Sequence, residues 1–328
     1  MHISNLGLNS SSFNFSLGHI GKNSSRSNPK PISIFDFFEI SSKLGFGGVE
    51  FPYFRFCKNI NKDLELIKND LTIKDLFCIL DCAGPLNVDE IKNIIPIAKY
   101  LNTDIIRIKV SNILCCDRNS ILIAWDDFIN EIIIKLGELL PYLEDYQIKL
   151  AIENHQDLDS YDLAIIFDKL NSEYIGVNFD IGNAFATLEF PIDFAKRIED
   201  RIMLINLKDY KIKKSRNGFR LIQCPFGHGI VFNSDLLKFI NEHLFSLKQI
   251  LEIGALQSRN IEIEKNGFWK YFRKISDNEM NNFINFINNN EIGSNKEWKT
   301  PWENGLSHEM IVNHELNQVK QSIKNLEY

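Results

Sequence analysis

Short apolar stretches that alternate with polar residues recur along the chain. The clearest is Gln147–Gln156, in which Ile148, Leu150 and Ile152 alternate with a set that ends in Glu153. A period of two in β-branched and apolar residues indicates a strand. Three later stretches repeat the pattern: Gly176–Asn183, Met203–Asp209 and Gln249–Gly254. We therefore predict four consecutive strands, each with oxygen or nitrogen donors at its C-terminal end.

Four more strands are predicted upstream, with helices between them. The strands are His2–Leu8, Gly47–Phe54 ending near Glu50, Leu76–Asp81 and Asp104–Val110. The helices, from their apolar spacing and end signals, are Pro31–Leu44, Asn61–Asp70, Val88–Leu101, Asp126–Tyr146, Ser160–Leu170 with Ser160 as cap, Pro191–Ile198, Asp235–Leu244 and Ser307–Leu326. The segment Lys211–Gly229 is interpreted as a polar excursion after the seventh strand.

Eight strands that alternate with helices predict a parallel sheet, and this number of units in about 250 residues fits a closed (β/α)8 TIM barrel. We assign residues 1–292 to the barrel and 293–328 to a C-terminal helical extension packed on it. The alternative is an open, doubly wound sheet. That fold normally carries a glycine-rich phosphate turn after its first strand, and Leu6–Phe13 contains no GxGxxG.

Composition and net charge limit the kinds of molecule that we expect the protein to bind. The chain has 328 residues, 44% of them hydrophobic, and a net charge of −6, which gives no reason to expect binding to nucleic acid or to an anionic membrane. No apolar run approaches the ~18 residues of a membrane span, and the start lacks the pattern of a signal peptide. The six cysteines form no CxxC pair. We expect reduced thiols and a cytoplasmic protein.

Four strand-end residues are the candidates for a metal site: Glu153, Asp180, Asn206 and Glu252. In TIM barrels the chemistry takes place at the C-terminal ends of the strands. Hard oxygen donors suit Mg²⁺ or Mn²⁺, and three crowded carboxylates repel each other unless a cation neutralises them. A single acid at a strand end is commonly a salt bridge or a helix cap, so the prediction depends on all four.

Five segments carry a family resemblance: IENH (152–155), NFDIGNAF (178–185), NLKD (206–209), PFGHG (225–229) and LEIGA (251–255). Over about residues 1–290 the chain resembles the xylose isomerase-like superfamily of TIM barrels. This is the sugar phosphate isomerase/epimerase group, with tagatose-type epimerases, hydroxypyruvate isomerases and inosose dehydratases. The resemblance implies a small sugar as substrate.

The resemblance also implies residue roles. Glu153, Asp180 and Glu252 match three metal-binding carboxylates, and Glu153 and Glu252 match the pair that moves a proton at a carbon beside a carbonyl, through an enediolate. Where the family usually has a fourth, histidine ligand, this chain has Asn206. Three outcomes stay open: the amide oxygen binds the metal more weakly, His228 joins the site, or the metal is lost.

Several other residues are candidates for the mouth of the barrel. His155 is either a general acid/base or a residue that orients Glu153. The predicted substrate-binding residues are Glu50, Arg107, Lys208, His228 and Arg259.

The leading hypothesis is a divalent-metal-dependent isomerase or epimerase of a small sugar or keto-sugar. A keto-sugar lyase or dehydratase of the inosose or 3-oxo-glycoside type is the first alternative, because it begins with the same proton abstraction. A metal-free, non-enzymatic barrel is the second. An apurinic endonuclease is disfavoured, because the chain has only seven histidines and no basic face. By analogy, such barrels also form homo-oligomers.

Overall fold

A closed barrel of parallel strands forms the body of the protein. The computed structural model describes residues 3–56, 60–82, 84–254, 256–293 and 296–326. Their strands are β1 Ile3–Asn9, β2 Phe46–Phe51, β3 Phe77–Asp81, β4 Ile105–Ile108, β5 Lys149–Glu153, β6 Ile175–Asp180, β7 Ile202–Leu207, β8 Asp209–Ser215, β9 Gly218–Cys224, β10 Lys248–Leu251 and β11 Arg259–Ile261. Strands β1 to β7 and β10 close the ring, with β10 between β7 and β1. The predicted TIM barrel is confirmed; His2 lies outside the described residues.

Helices connect the barrel strands and cover the outside. Within the described ranges they are α1 Ile34–Lys43, α2 Ile60–Ile73, α3 Val88–Tyr100, α4 Trp125–Gly137, α5 Leu140–Tyr146, α6 Ser160–Leu170, α7 Pro191–Ile198, α8 Ser234–His243, α9 Asp277–Asn290 and α10 His308–Leu326. None of these helices is both long enough and apolar enough to cross a membrane.

Alternation along the strands sorts side chains between the barrel interior and the helices. Leu150 and Ile152 join the large core between strands and helices. Ala151 instead belongs to a small interior cluster, formed by Ile79, Ile105, Ala151, Leu204 and Ile250. Two residues further along these five strands the same parity is polar, at Asp81, Arg107, Glu153, Asn206 and Glu252. The interior is therefore an apolar plug with a polar layer on its C-terminal side.

Gly48 leaves room for the Phe77 ring next to the apolar plug, on the side of the barrel formed by β2. A Cβ atom at Gly48 would lie 2.4 Å from ring atoms of Phe77, so this ring fills the position that a side chain on β2 would take.

A three-stranded antiparallel sheet replaces the predicted polar excursion. Strands β8, β9 and β11 form it, in the order β11-β9-β8. Ile212 and Leu221 are buried and directly opposite each other, while the neighbouring Lys213 pairs with Arg220. The alternation was present in the sequence, but the many lysines and arginines on its other face concealed it.

The helices differ from the predictions in three ways. The helix predicted over 126–146 is two helices, because Pro141 lacks the N–H that would continue α4 and instead lies in the first turn of α5. The cap of α6 is Asp159 rather than Ser160. Helix α9 was not predicted at all, although Phe283 and Ile287 are buried at helical spacing.

A buried carboxylate is one of the contacts that attach the C-terminal helix to the barrel. Glu315 of α10 accepts hydrogen bonds from the backbone N–H groups of Phe15 (2.7 Å) and Ser16 (2.9 Å), and from the Ser16 hydroxyl (2.6 Å). These residues follow β1, so the helix covers the loop after the first strand. Burial raises the pKa of Glu315 to about 7.

Replacing this carboxylate should loosen the extension. In Glu315→Ala three buried donors lose their acceptor, and we expect the free energy of unfolding to fall by about 2–4 kcal/mol in urea titrations. The matched control is Glu309→Ala, because Glu309 lies on the same helix and is exposed. If both variants unfold at the wild-type urea concentration, α10 is not docked through Glu315.

Candidate active site at the C-terminal ends of the strands

Four predicted site residues lie on neighbouring strands around the ring. Glu153 ends β5, Asp180 ends β6, Asn206 lies on β7 and Glu252 follows β10 directly. All four are buried. One carboxylate oxygen from each of the three acids lies within 4.8 Å of the other two. The barrel therefore brings together the groups that the sequence placed at strand ends.

The Arg107 guanidinium links several of these acids. It donates to Glu153 Oε2 through Nη2 and through Nε (3.1 Å), and to Glu50 Oε1 through Nη1 (2.6 Å). Its Nη1 also lies 3.5 Å from Asp81 Oδ2, and its Nη2 lies 3.7 Å from Glu252 Oε2. The planar fork of arginine can pair with acids on several strands at once. Arg107 is thus the cation at the centre of the polar layer.

Lys208 is the second internal cation. Its Nζ donates to Asp180 Oδ2 and, at 3.1 Å, to Glu252 Oε1. Asn206 Nδ2 donates to the other oxygen of Glu252 at 2.7 Å. Glu252 is therefore held at both oxygens, and Asn206 serves it as a hydrogen-bond donor through its amide nitrogen.

The cluster contains more acid than base. Within the described ranges, five carboxyl groups form ion pairs with two cations, Arg107 and Lys208. Burial raises the pKa values of Glu50 and Asp180 well above the normal range of a carboxyl group. Burial acts on Glu252 in the same sense, but Lys208 and Arg107 outweigh it and lower its pKa. The excess negative charge must therefore be neutralised, by protons or by a further cation.

The residues present fit a divalent cation. Asn206 Oδ1, Glu50 Oε2 and both amide atoms of Asn178 are buried and have no hydrogen-bond partner among the described residues. Unpaired buried polar atoms are rare and commonly mark a water or an ion. Three carboxylates and one free amide oxygen are the donors that Mg²⁺ or Mn²⁺ prefers. Such an ion would compete with Lys208 for Asp180 and Glu252.

Two asparagine side chains hold residues of the acid triad in place. Asn154 accepts from the backbone N–H of Asp180 at 2.7 Å and donates to its carbonyl at 3.0 Å, which ties the ends of β5 and β6 together. Asn183 donates to Glu153 Oε1 at 3.3 Å. These contacts fix the directions of two acids before any ligand binds.

A cavity of about 200 Å³ opens above the cluster. Among the predicted residues it is lined by Arg107, His155, Lys208, Glu252 and Arg259. Glu50, Glu153, Asp180 and Asn206 are buried and do not line it. Within the acid triad, Glu252 is therefore the residue that faces the space where a small molecule would bind.

His155 lines the same cavity as an uncharged imidazole. Burial lowers its pKa well below the ordinary value, and the positive charges of Lys109, Lys208 and Arg107 lower it further. Its Nδ1 is buried and has no hydrogen-bond partner in the described part of the chain. No hydrogen bond from His155 to Glu153 is found among the described residues, so an orienting role for His155 has no support.

His228 is placed elsewhere. It is exposed and does not line the cavity. The neighbouring glycines donate their N–H groups to Asp209 Oδ2, from Gly227 at 3.0 Å and from Gly229 at 2.8 Å. A Cβ atom at Gly229 would lie 2.2 Å from Asp209 Oδ1, which explains the glycine. Asp209 is thus an anchor for this loop, and recruitment of His228 as a ligand is not supported.

Several cavity residues were missed from the sequence, among them Gln156, Asn183, Tyr210 and Gln223. Asn183 lies within the NFDIGNAF segment, and its Oδ1 accepts from Gln156 Nε2 (3.2 Å) and the Tyr210 hydroxyl (3.3 Å). Tyr210 has the same parity as Asn206 and Lys208, which is a signal that the sequence offered. Gln223 belongs to β9, so without the antiparallel sheet it could not be placed.

Comparison with known proteins agrees with this architecture. Residues 38–265 match the family described as xylose isomerase-like TIM barrel. A curated relative, the 3-oxo-isoapionate decarboxylase of Pectobacterium atrosepticum, is 26% identical over 125 residues, which are 38% of this chain and 46% of the relative. The match thus spans about half the length of that relative.

Solved structures share the fold at low sequence identity. A xylose isomerase-like TIM barrel protein from Mycobacterium smegmatis in complex with magnesium has a TM-score of 0.59 and 12% identity, covering 77% of this chain and 92% of that one. The 3-keto-D-glucoside 4-epimerase YcjR from E. coli has a TM-score of 0.55 and 10% identity, covering 87% and 99%. Because the family match spans more than half of the sequence, the chain belongs to the xylose isomerase-like TIM barrel family.

Proposed function

We propose that this protein is an isomerase or epimerase that acts on a small keto-sugar by moving a proton at the carbon next to its carbonyl, with a divalent cation, Mn²⁺ or Mg²⁺, as cofactor. The observation that carries the proposal is the cavity-facing carboxylate of Glu252, held between Lys208 and Asn206 at the end of the barrel. A fixed, ionised carboxylate beside a small polar cavity is suited to accept a proton from carbon.

Glu252 is ionised and can therefore accept a proton, but it is a weak base. Lys208 and Arg107 lower its pKa, so the carboxylate is ionised at neutral pH but has little affinity for a proton. Removing a proton from carbon therefore requires strong stabilisation of the negative charge that forms on the carbonyl oxygen. Lys208 and Arg107 line the same cavity and can donate hydrogen bonds to that oxygen.

A second proton-transfer group is needed to complete an epimerisation or an isomerisation. His155 lines the cavity as a neutral imidazole, which can take a proton from a substrate hydroxyl and then return it, as the imidazolium, to a substrate oxygen. Glu153 is fully buried and held by Arg107 at Nε and Nη2. The geometry thus favours His155 as the partner of Glu252, and it gives Glu153 the role of orienting Arg107 and holding the cation.

In this proposal the metal ligands are Glu153, Asp180, Asn206 and Glu252. When bound, a divalent cation supplies Lewis-acid polarisation of the substrate carbonyl. The Mg²⁺ complex of the Mycobacterium smegmatis protein supports a metal in this fold. The 4-epimerase from E. coli acts on a 3-keto-glucoside, which supports a keto-sugar as substrate.

A keto-sugar lyase is the second candidate. One observation favours it: His155, whose neutral imidazole can relay a proton, shares the cavity with the base Glu252, so the proton taken from carbon can be passed on to a departing oxygen. The curated relative from Pectobacterium atrosepticum is, as its name states, a decarboxylase of a 3-oxo substrate. Both candidates form the same enediolate, and they differ in whether a proton returns to carbon or a group leaves.

Proton exchange between substrate and solvent tests the role of Glu252. With Mn²⁺ in D2O, the wild-type protein should incorporate deuterium next to the carbonyl of at least one member of a panel of D-tagatose, L-ribulose and methyl 3-keto-D-glucoside, followed by NMR. Glu252→Gln should slow this exchange by roughly 10²–10⁴-fold, which is the usual contribution of a general base. Loss of water or methanol in the same spectra would identify the lyase.

The control for this experiment is Glu242→Gln, because Glu242 is an exposed glutamate of α8. Circular dichroism melting checks that both variants fold. Exchange that continues at the wild-type rate in Glu252→Gln would remove Glu252 from the mechanism. An inactive wild-type protein on the whole panel would contradict the proposed function.

Lys208 and a divalent cation should compete for the same two acids. Because Lys208 Nζ pairs with Asp180 and Glu252, Lys208→Met should tighten Mn²⁺ binding by about tenfold or more in isothermal titration of EDTA-treated protein. Asp180→Asn should weaken it by a similar factor. Lys169→Met, an exposed residue of α6, is the matched control. If neither the wild type nor Lys208→Met binds Mn²⁺, the barrel works without a metal or is not an enzyme.

A further inference from the structure

The cavity has cations that the acid cluster does not neutralise. It is lined by Arg55, Lys109 and Arg259 in addition to Arg107 and Lys208. Arg107 and Lys208 are engaged by carboxylates, as described above. Arg55, Lys109 and Arg259 form no ion pair or side-chain hydrogen bond with any part of the chain that the structure describes. Part of the cavity lining is therefore positively charged.

Two of these three cations are partly removed from water. Lys109 and Arg259 are half-buried, whereas Arg55 is exposed. Withdrawing a charged group from water costs free energy unless an opposite charge accompanies it. Elsewhere in the polar layer this cost is offset by ion pairs, as at Arg107. For Lys109 and Arg259 the protein supplies no such partner among the described residues.

The two half-buried cations come from different parts of the fold. Lys109 follows β4, two residues beyond Arg107 and with the same parity. Arg259 begins β11 of the antiparallel sheet, where it pairs with Leu221 of β9. Both nonetheless face one cavity of about 200 Å³, the same cavity that Glu252 and His155 line. A ligand in this cavity can therefore contact Glu252 as well as Lys109 and Arg259.

We propose that Lys109 and Arg259 form an oxyanion site, so that the substrate of this protein carries a carboxylate or a phosphate in addition to its carbonyl. Guanidinium and ammonium groups form short, charge-assisted hydrogen bonds with either group. The anion occupies the cationic side and orients the substrate so that its carbonyl meets Lys208 and Glu252. Arg55 at the rim adds long-range attraction. The part that concerns the substrate rests on the proposed function.

The test measures anion binding directly, with malonate and inorganic phosphate as probes in isothermal titration of the full-length protein. The double variant Lys109→Met/Arg259→Met should bind the preferred probe at least about tenfold more weakly than the wild type, because two charge-assisted contacts are lost. Lys169→Met should bind like the wild type. Tighter binding of malonate identifies a carboxylate site, and tighter binding of phosphate a phosphate site.

A charge-retaining variant separates the anion site from a general effect on folding. Lys109→Arg/Arg259→Lys should recover most of the affinity that the double methionine variant loses. If the wild type binds both probes no more tightly than the double methionine variant, the oxyanion site is refuted.

The outcome is separable from that of the proposed function. Proton exchange into a neutral ketose without anion binding would overturn this inference alone. Anion binding that depends on Lys109 and Arg259, without exchange into any ketose, would leave the site standing and overturn the proposed reaction.

Discussion

The structure depends on how the barrel balances a concentration of buried negative charge. Five acids converge on Arg107 and Lys208, and neither cation alone can neutralise the cluster. The pKa values of the acids are consequently shifted in opposite directions. Burial raises the pKa values of Glu50 and Asp180, whereas the two cations keep Glu252 ionised. One arrangement therefore provides both a charged group that faces the cavity and a surplus of negative charge that a divalent cation would satisfy.

The alternation along the strands predicted which acids meet in this cluster. It did not predict their partners, because a long side chain can reach several acids. Glu153 and its equivalents follow from a period of two in parallel strands that end at one edge, so their meeting could be expected. Their partners could not, because the reach of Arg107 to acids on several strands is decided by side-chain conformation. The same limit applies to Lys208, which a strand pattern alone places inward without indicating which acids it contacts.

Two additions lie outside the barrel: an antiparallel sheet, which was not predicted, and the C-terminal helix, which was. The antiparallel sheet brings Gln223 and Arg259 to the cavity, and its alternation was hidden by charged residues such as Lys213 and Arg220. Helix α10 covers the loop after β1 through the buried Glu315. Strands β8 and β9 form a local hairpin, whereas the pairing of β11 with β9 and the docking of α10 depend on contacts between residues far apart in the chain, which local spacing does not encode.

The central claim is that the acid cluster holds a divalent cation in place of Lys208. Anomalous diffraction from a crystal soaked in Mn²⁺ tests it most directly. We predict one strong anomalous peak bounded by carboxylate oxygens of Glu153, Asp180 and Glu252, with the Lys208 ammonium moved away from Asp180. A fully soaked crystal with no peak there, and with Lys208 still paired to both acids, would contradict the account.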